Sequence, residues 1–87
     1  MTYFVYAIIS EEGHHYVGQT SDLFRRLFEH NNQLSHSTKH GRNWQIFLRE
    51  EYSSRADAMK REKWLKSGIG RKWLCDNIPE WSPPKAE

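Results

Sequence analysis

The chain opens on an unbroken apolar and aromatic run, Tyr3 to Ile9, closed by the polar stretch SEEG. A run this short, rich in β-branched and aromatic residues, predicts a strand buried on both faces. Residues 14 to 19, HHYVGQ, predict a second strand. The EEG between them fits a three-residue hairpin loop, with Gly13 at the left-handed position of a bulge. Such a loop pairs Ser10 with His14, hence Tyr6 with Gly18 and Ile8 with Tyr16. Facing positions share parity, so Tyr6 and Tyr16 become diagonal neighbours on one sheet face.

Thr20 or Ser21 is the expected cap of a first helix, with Asp22 in its first turn. Leu23, Phe24, Leu27 and Phe28 form its apolar stripe, and Arg26 and His30 lie one turn apart, off that stripe. Residues 31 to 43, NNQLSHSTKHGRN, are polar and aperiodic and predict a long loop. WQIFLREEY predicts a third strand, with Trp44, Ile46 and Leu48 alternating with more varied residues. SRAD, from Ser54 to Asp57, matches a capping box and opens a second helix.

On that helix Ala58, Leu65 and Ile69 recur at helical spacing, and Glu62 falls within the same face. A carboxylate there has two readings. It is salt-bridged to a nearby Arg or Lys, or it faces a cleft as a metal ligand or catalytic acid. KSGIGR is expected to break the helix at Gly68 and Gly70, before RKWLCDNI forms a short third helix. The order strand, strand, helix, strand, helix, helix predicts an α+β fold: a small three-stranded antiparallel sheet flanked by helices. The expected domain spans residues 1–78, and 79–87, PEWSPPKAE, read as a flexible tail.

Composition narrows the classes. A chain of 87 residues is expected to form one small domain with a modest core, to which twelve aromatics contribute much of the buried area. No apolar run approaches the ~20 residues of a membrane span, and no secretory signal is expected at the N-terminus. Cys75 is the single cysteine, which excludes an internal disulfide and agrees with a cytoplasmic location. CxxC and HExxH spacings are absent, so a closed zinc site is not expected. The net charge is +2, but Lys60, Arg61, Lys63, Lys66, Arg71 and Lys72 surround the lone acid Glu62. Such segregation suits either phosphate attraction or a solvated helix face.

Several motifs stand in a telling order. FVY ends on Tyr6; YVG runs from Tyr16 to Gly18; Arg26 follows ten residues after Tyr16, with Arg25 one step away; Glu62 lies in SRADAMKREKWLK; KSGIGRKWL closes the series. This series, covering roughly Tyr3 to Leu74, resembles the small stand-alone members of the GIY-YIG nuclease family. The resemblance implies a divalent-metal-dependent endonuclease that hydrolyses phosphodiester bonds in DNA. Tyr6 would be the general base and Tyr16 would orient it or the water, with the roles exchangeable. Arg26 would clamp the scissile phosphate and Glu62 would hold magnesium or manganese. His30 would be a second donor or proton carrier, or else a plain surface histidine. Gly18 would leave room for the nucleic-acid backbone.

Phosphate contacts would come from Lys39, Arg42, Lys60, Lys63, Lys66, Arg71 and Lys72. Trp44, Trp64 and Trp73 would stack on bases or, by default, pack in the core. A domain this small is expected to cleave structure-selectively or nonspecifically, or to be guided by a partner protein, as in DNA repair or recombination. The sequence departs from the family pattern in three places. Phe4 replaces the glycine of the first motif, Gln19 replaces a lysine, and Leu74 falls where some members carry an asparagine, with Asn77 nearest. These departures motivate an alternative, a nucleic-acid-binding module that keeps the fold but has lost efficient cleavage. A third reading is an interaction domain whose basic helix holds an acidic protein.

Overall fold

Strand β1 (Tyr3–Ile9) is the centre of the sheet, because it is the stretch with no polar side to give to water. Every residue from Val5 to Ile9 is buried. β2 (His15–Thr20) pairs with one edge of β1 and β3 (Gln45–Tyr52) with the other, both antiparallel, in the order β2-β1-β3. The computed structural model describes residues 1–81. The α+β class, the sheet and the element order are those expected from the sequence.

The hairpin has the expected register, Tyr6 opposite Gly18 and Ile8 opposite Tyr16. Gly13 adopts φ of +92°, and Ser10 N–H donates to the His14 carbonyl at 2.9 Å. The other pairing contains a shift. Ala7 faces Leu48 while Ile8 faces Ile46, so Phe47 bulges out of the ladder. The bulge ends the expected simple alternation of Trp44, Ile46 and Leu48. Leu48 packs beside Val5 and Ala7, whereas Ile46 stands on the Ile8 side, 38% exposed.

Each face of the sheet has its own core. Val5, Ala7, Ile9 and Val17 pack beneath α2 (Arg55–Leu65) and α3 (Gly68–Asn77), against Ala58, Leu65 and Leu74. Tyr6 and Ile8, on the opposite face, pack against Leu23 of α1 (Leu23–Asn31) and against Trp44. Trp44 is anchored through its backbone N–H, which donates to Asn31 Oδ1 at 2.6 Å. The end of α1 is thereby tied to the start of β3.

Helix boundaries correct the sequence reading in several places. Asp22, rather than Thr20 or Ser21, caps α1 by accepting from Arg25 N–H at 3.1 Å. Phe24 and Phe28 leave the expected stripe and are 90% and 60% exposed. Ser54 caps α2 as expected, accepting from Asp57 N–H at 3.1 Å. Gly68 and Gly70 do not lie between helices but in the first turn of α3, which Ser67 caps. Gly70 is required by close approach: a Cβ there would run into the Trp64 carbonyl and the Leu65 backbone. The early break re-aims Ile69, which leaves the expected core stripe and is exposed.

Packing continues beyond the expected boundary at residue 78. Pro79–Trp81 form a short 3₁₀ turn, and Trp81 is buried, its ring stacked on His15 at 4.3 Å. The rest of the expected tail, 82–87, lies outside the described residues. No helix among the described residues is long and apolar enough to cross a membrane.

Candidate active site

The register of the β1–β2 hairpin puts Tyr6 and Tyr16 on the sheet face covered by α1, with ring centroids 6.2 Å apart. Gly18 lies directly beneath them. A Cβ on Gly18 would stand 2.6 Å from the Tyr6 hydroxyl and 2.9 Å from the Tyr16 ring. The space made by this glycine is therefore filled by the two phenols, which corrects the expectation that it admits a nucleic-acid backbone. The glycine lets two aromatic rings share one small patch.

His30 is the largest revision. It is fully buried, not a surface residue. Its position on α1, seven residues after Leu23 and three after Leu27, puts it in the middle of the inward face. Nε2 shares a 2.8 Å hydrogen bond with the Tyr6 hydroxyl, and Nδ1 shares one of 2.6 Å with Thr38 Oγ1. Burial, reinforced by the positive charge of Arg26, lowers its pKa from 6.5 to about 4. His30 is therefore neutral at physiological pH, with one N–H. The two bonds then run in one direction along the chain Tyr6–His30–Thr38, one nitrogen donating and the other accepting.

Tyr6 is itself only 1% exposed. Burial, followed by the neighbouring Tyr16, pushes its pKa well above the ordinary value of 10.0. Arg26 opposes that rise and Glu62 adds to it. The guanidinium of Arg26 lies beside both phenols. Burial alone would lower the Arg26 pKa, but hydrogen bonding to Glu29 and the nearness of Tyr6 outweigh it and hold the group charged. Arg26 donates to Glu29 Oε1 at 2.9 Å and to Ser35 Oγ at 3.3 Å. Arg25, 75% exposed and on the solvent side, also meets Glu29.

Glu62 approaches from α2, around the β2 edge. Lys66 Nζ donates to its carboxylate at 2.8 Å and lies 5.6 Å from the centre of the Tyr16 ring. Tyr6, Tyr16, Arg26 and His30 thus share one site, and Glu62 joins its rim through Lys66. No group of three or more His, Cys, Asp or Glu side chains able to hold a metal occurs among the described residues. A single half-buried carboxylate suits only a weakly held hard cation that keeps most of its water.

The expected phosphate contacts divide. Lys60, Lys63 and Arg71 are exposed on α2 and α3, and Lys72 is exposed but paired with Asp76 at 3.0 Å. Lys39 and Arg42 are exposed in the loop before β3, where the Arg42 backbone is tied to Glu11 and Glu12 of the hairpin turn. Trp64 and Trp73 are partly buried against the core and flank Arg61 at 4.7 and 4.8 Å, and Trp44 is buried. Glu29, Ser35 and Thr38 were missed by sequence reasoning. Helical spacing from Arg25 and Arg26 could have flagged Glu29, but nothing in the loop sequence marks Ser35 or Thr38.

A three-stranded sheet with its two tyrosines on the central hairpin, an arginine and a histidine on the next helix and a glutamate on a later one defines a nuclease-like α+β domain. Residues 2–72 match the family described as the GIY-YIG catalytic domain, and the chain belongs to that family. It is 30% identical over 73 residues to the UPF0213 protein SSP2268 of Staphylococcus saprophyticus, a match covering 83% of this chain and 89% of that protein. Its structure is similar to the solution NMR structure of the UPF0213 protein BH0048 from Bacillus halodurans, with a TM-score of 0.55 and 25% identity. That likeness covers 90% of this chain and 86% of the other.

Proposed function

We propose that the chain binds DNA through the exposed cations of α2 and α3 and that its GIY-YIG site cleaves inefficiently or not at all. The observation that carries this reading is that each ionic group needed for hydrolysis is already satisfied within the chain. Arg26 is held by Glu29 and Ser35, and Glu62 by Lys66. Phosphate would compete with Glu29 for Arg26, and a metal would compete with Lys66 for Glu62. The deeply buried Tyr6 phenol, with its raised pKa, is poorly placed as a base for bulk water.

The test is fluorescence anisotropy with labelled DNA over a range of salt, beside a cleavage assay with magnesium. Binding that weakens linearly on a log-log salt plot, with little or no cleavage, is expected. No binding at low salt would favour the third reading, an acidic protein partner. Rapid multiple-turnover cleavage would overturn the claim of inefficiency.

One feature favours the second reading, a divalent-metal-dependent DNA endonuclease. The relay from Tyr6 through His30 to Thr38 has the form of a proton path as well as satisfying three buried polar groups. Tyr6 would take a proton from water and give its own to His30 Nε2, leaving an imidazolium whose Nδ1–H donates to Thr38; the same proton would return through Tyr6 to the leaving oxygen, and Tyr16 would orient the water. Arg26, released from Glu29, would grip the scissile phosphate through its planar fork. Glu62 would hold the metal, magnesium or manganese, which would supply charge neutralisation at the phosphate. Magnesium-dependent cleavage that is lost in both Glu62→Gln and Arg26→Ala would establish this reading over the first.

A further inference from the structure

A cleft of about 630 Å³ opens between the edge strand β2 and the helices α2 and α3. It touches the candidate active site only through Tyr16 and Lys66. Its floor is apolar: Val17, Leu65 and Leu74. His15 and Trp81, whose rings stack on each other, are among its walls, and Tyr16, whose ring belongs to the opposite sheet face, meets it at the β2 edge. Lys66 and Arg71 stand at its sides, and no acidic residue lines it among the described residues.

We propose that this cleft seats one unpaired nucleotide of DNA; the proposal rests on the DNA-binding reading above. The volume is that of a small-molecule site. An apolar floor with the His15–Trp81 pair in its wall suits the face of a base, and the flanking cations suit the adjoining phosphates. A paired base is closed inside its stack and cannot enter, whereas a bulged, flapped or single-stranded one can. Charge favours an anionic, planar occupant: Arg71 has no ion-pair partner among the described residues, and Lys66 shares its charge with Glu62. Lys66 belongs both to this cleft and to the Glu62 ion pair. A nucleotide phosphate on Lys66 would compete with that carboxylate, and so link occupancy of the cleft to the state of Glu62.

The test compares three labelled duplexes by anisotropy at low salt without magnesium. One is fully paired, one carries a single-nucleotide bulge, and one carries an abasic residue in the bulge. Tighter binding of the bulged duplex is expected, by about tenfold, with the abasic form falling back to the paired level. Cys75 lines the cleft and is the single thiol of the chain. Its alkylation by iodoacetamide should be slowed by the bulged duplex and not by the paired one. Cys75→Trp, which fills the cleft without removing a charge, should abolish the preference and leave affinity for the paired duplex. Should that variant fail to fold, alkylation of the unaltered protein decides the matter. Equal affinity for the bulged and abasic duplexes, or unprotected Cys75, would overturn the nucleotide site while leaving DNA binding intact. No salt-dependent binding to any duplex would overturn both.

Discussion

The Tyr6 hydroxyl and His30 Nε2 lie 2.8 Å apart within the protein, and this bond joins the central strand to α1. Both side chains are buried, so neither can trade the other for water. The bond is thus a structural tie and the first link of a proton path.

His30 should make stability depend on pH. Its pKa falls from 6.5 in the unfolded chain to about 4 in the folded one. Between those values the unfolded state binds more protons, so stability is complete above pH 6.5 and is lost as pH falls toward 4. The full effect is on the order of 3 kcal/mol. Urea unfolding at pH 7, 6 and 5 should show a decline in the parent protein that is much shallower in His30→Gln. Equal slopes in the two proteins would show that His30 is not held neutral.

Two glycine substitutions should have opposite signs. Gly18→Ala places a methyl group 2.6 Å from the Tyr6 hydroxyl and 2.9 Å from the Tyr16 ring, and both rings would have to move. A loss of about 1–3 kcal/mol is expected, with a change in near-ultraviolet circular dichroism from the displaced tyrosines. Gly68→Ala meets nothing within 4 Å and lies in the first turn of a helix. It should be neutral or stabilise by up to about 1 kcal/mol. Thermal melts of the two variants side by side check the contrast.

The sheet and the tyrosine pair were legible because strand parity and a three-residue loop leave little freedom once Gly13 is placed. The buried face of α1 was not, because hydrophobicity points to Phe24 and Phe28 while the tertiary contacts select His30. A histidine with two hydrogen-bond partners can be buried where its sequence neighbours suggest solvent. Its second partner, Thr38, comes from an aperiodic loop that carries no signal of its own. Gln19 is a subtler case. Its cross-strand partner is Val5, so it belongs to the sheet face opposite the tyrosines. A lysine there would not have pointed at Tyr6, and its absence bears less on the phenol than the sequence suggested.

The basic residues of α2 should separate into structural and binding groups. Arg61 donates twice to Glu50, at 2.9 and 3.0 Å, and lies between Trp64 and Trp73. Tyr52 donates to the same carboxylate. Arg61→Ala should lower the melting temperature, by about 1–3 kcal/mol of stability, with little change in the salt dependence of DNA binding. Lys63 is exposed and has no ion-pair partner among the described residues. Lys63→Ala should leave the melt unchanged and reduce the slope of log affinity against log salt by about 1. A change of slope in the Arg61 variant, or of stability in the Lys63 variant, would reverse the assignment.

Glu62 is the residue at which the two readings of the site part. Its carboxylate is held by Lys66 at 2.8 Å, with side-chain exposures of 22% and 48%. Glu62→Gln removes a negative charge beside a cation that faces Tyr16 and the β2-edge cleft. If the chain is chiefly a binding module, freeing Lys66 should tighten DNA binding by up to about fivefold at low salt, the size expected of a partly exposed pair. If it is an efficient nuclease, the same variant should lose magnesium-dependent cleavage, whatever its affinity. Lys66→Met supplies the converse: it frees Glu62, and should weaken DNA binding while strengthening the response to magnesium. Measuring affinity and cleavage in both variants, with magnesium and with EDTA, therefore tests whether Lys66 holds the glutamate away from a metal. Unchanged affinity in both would show that the ion pair lies outside the DNA-binding surface.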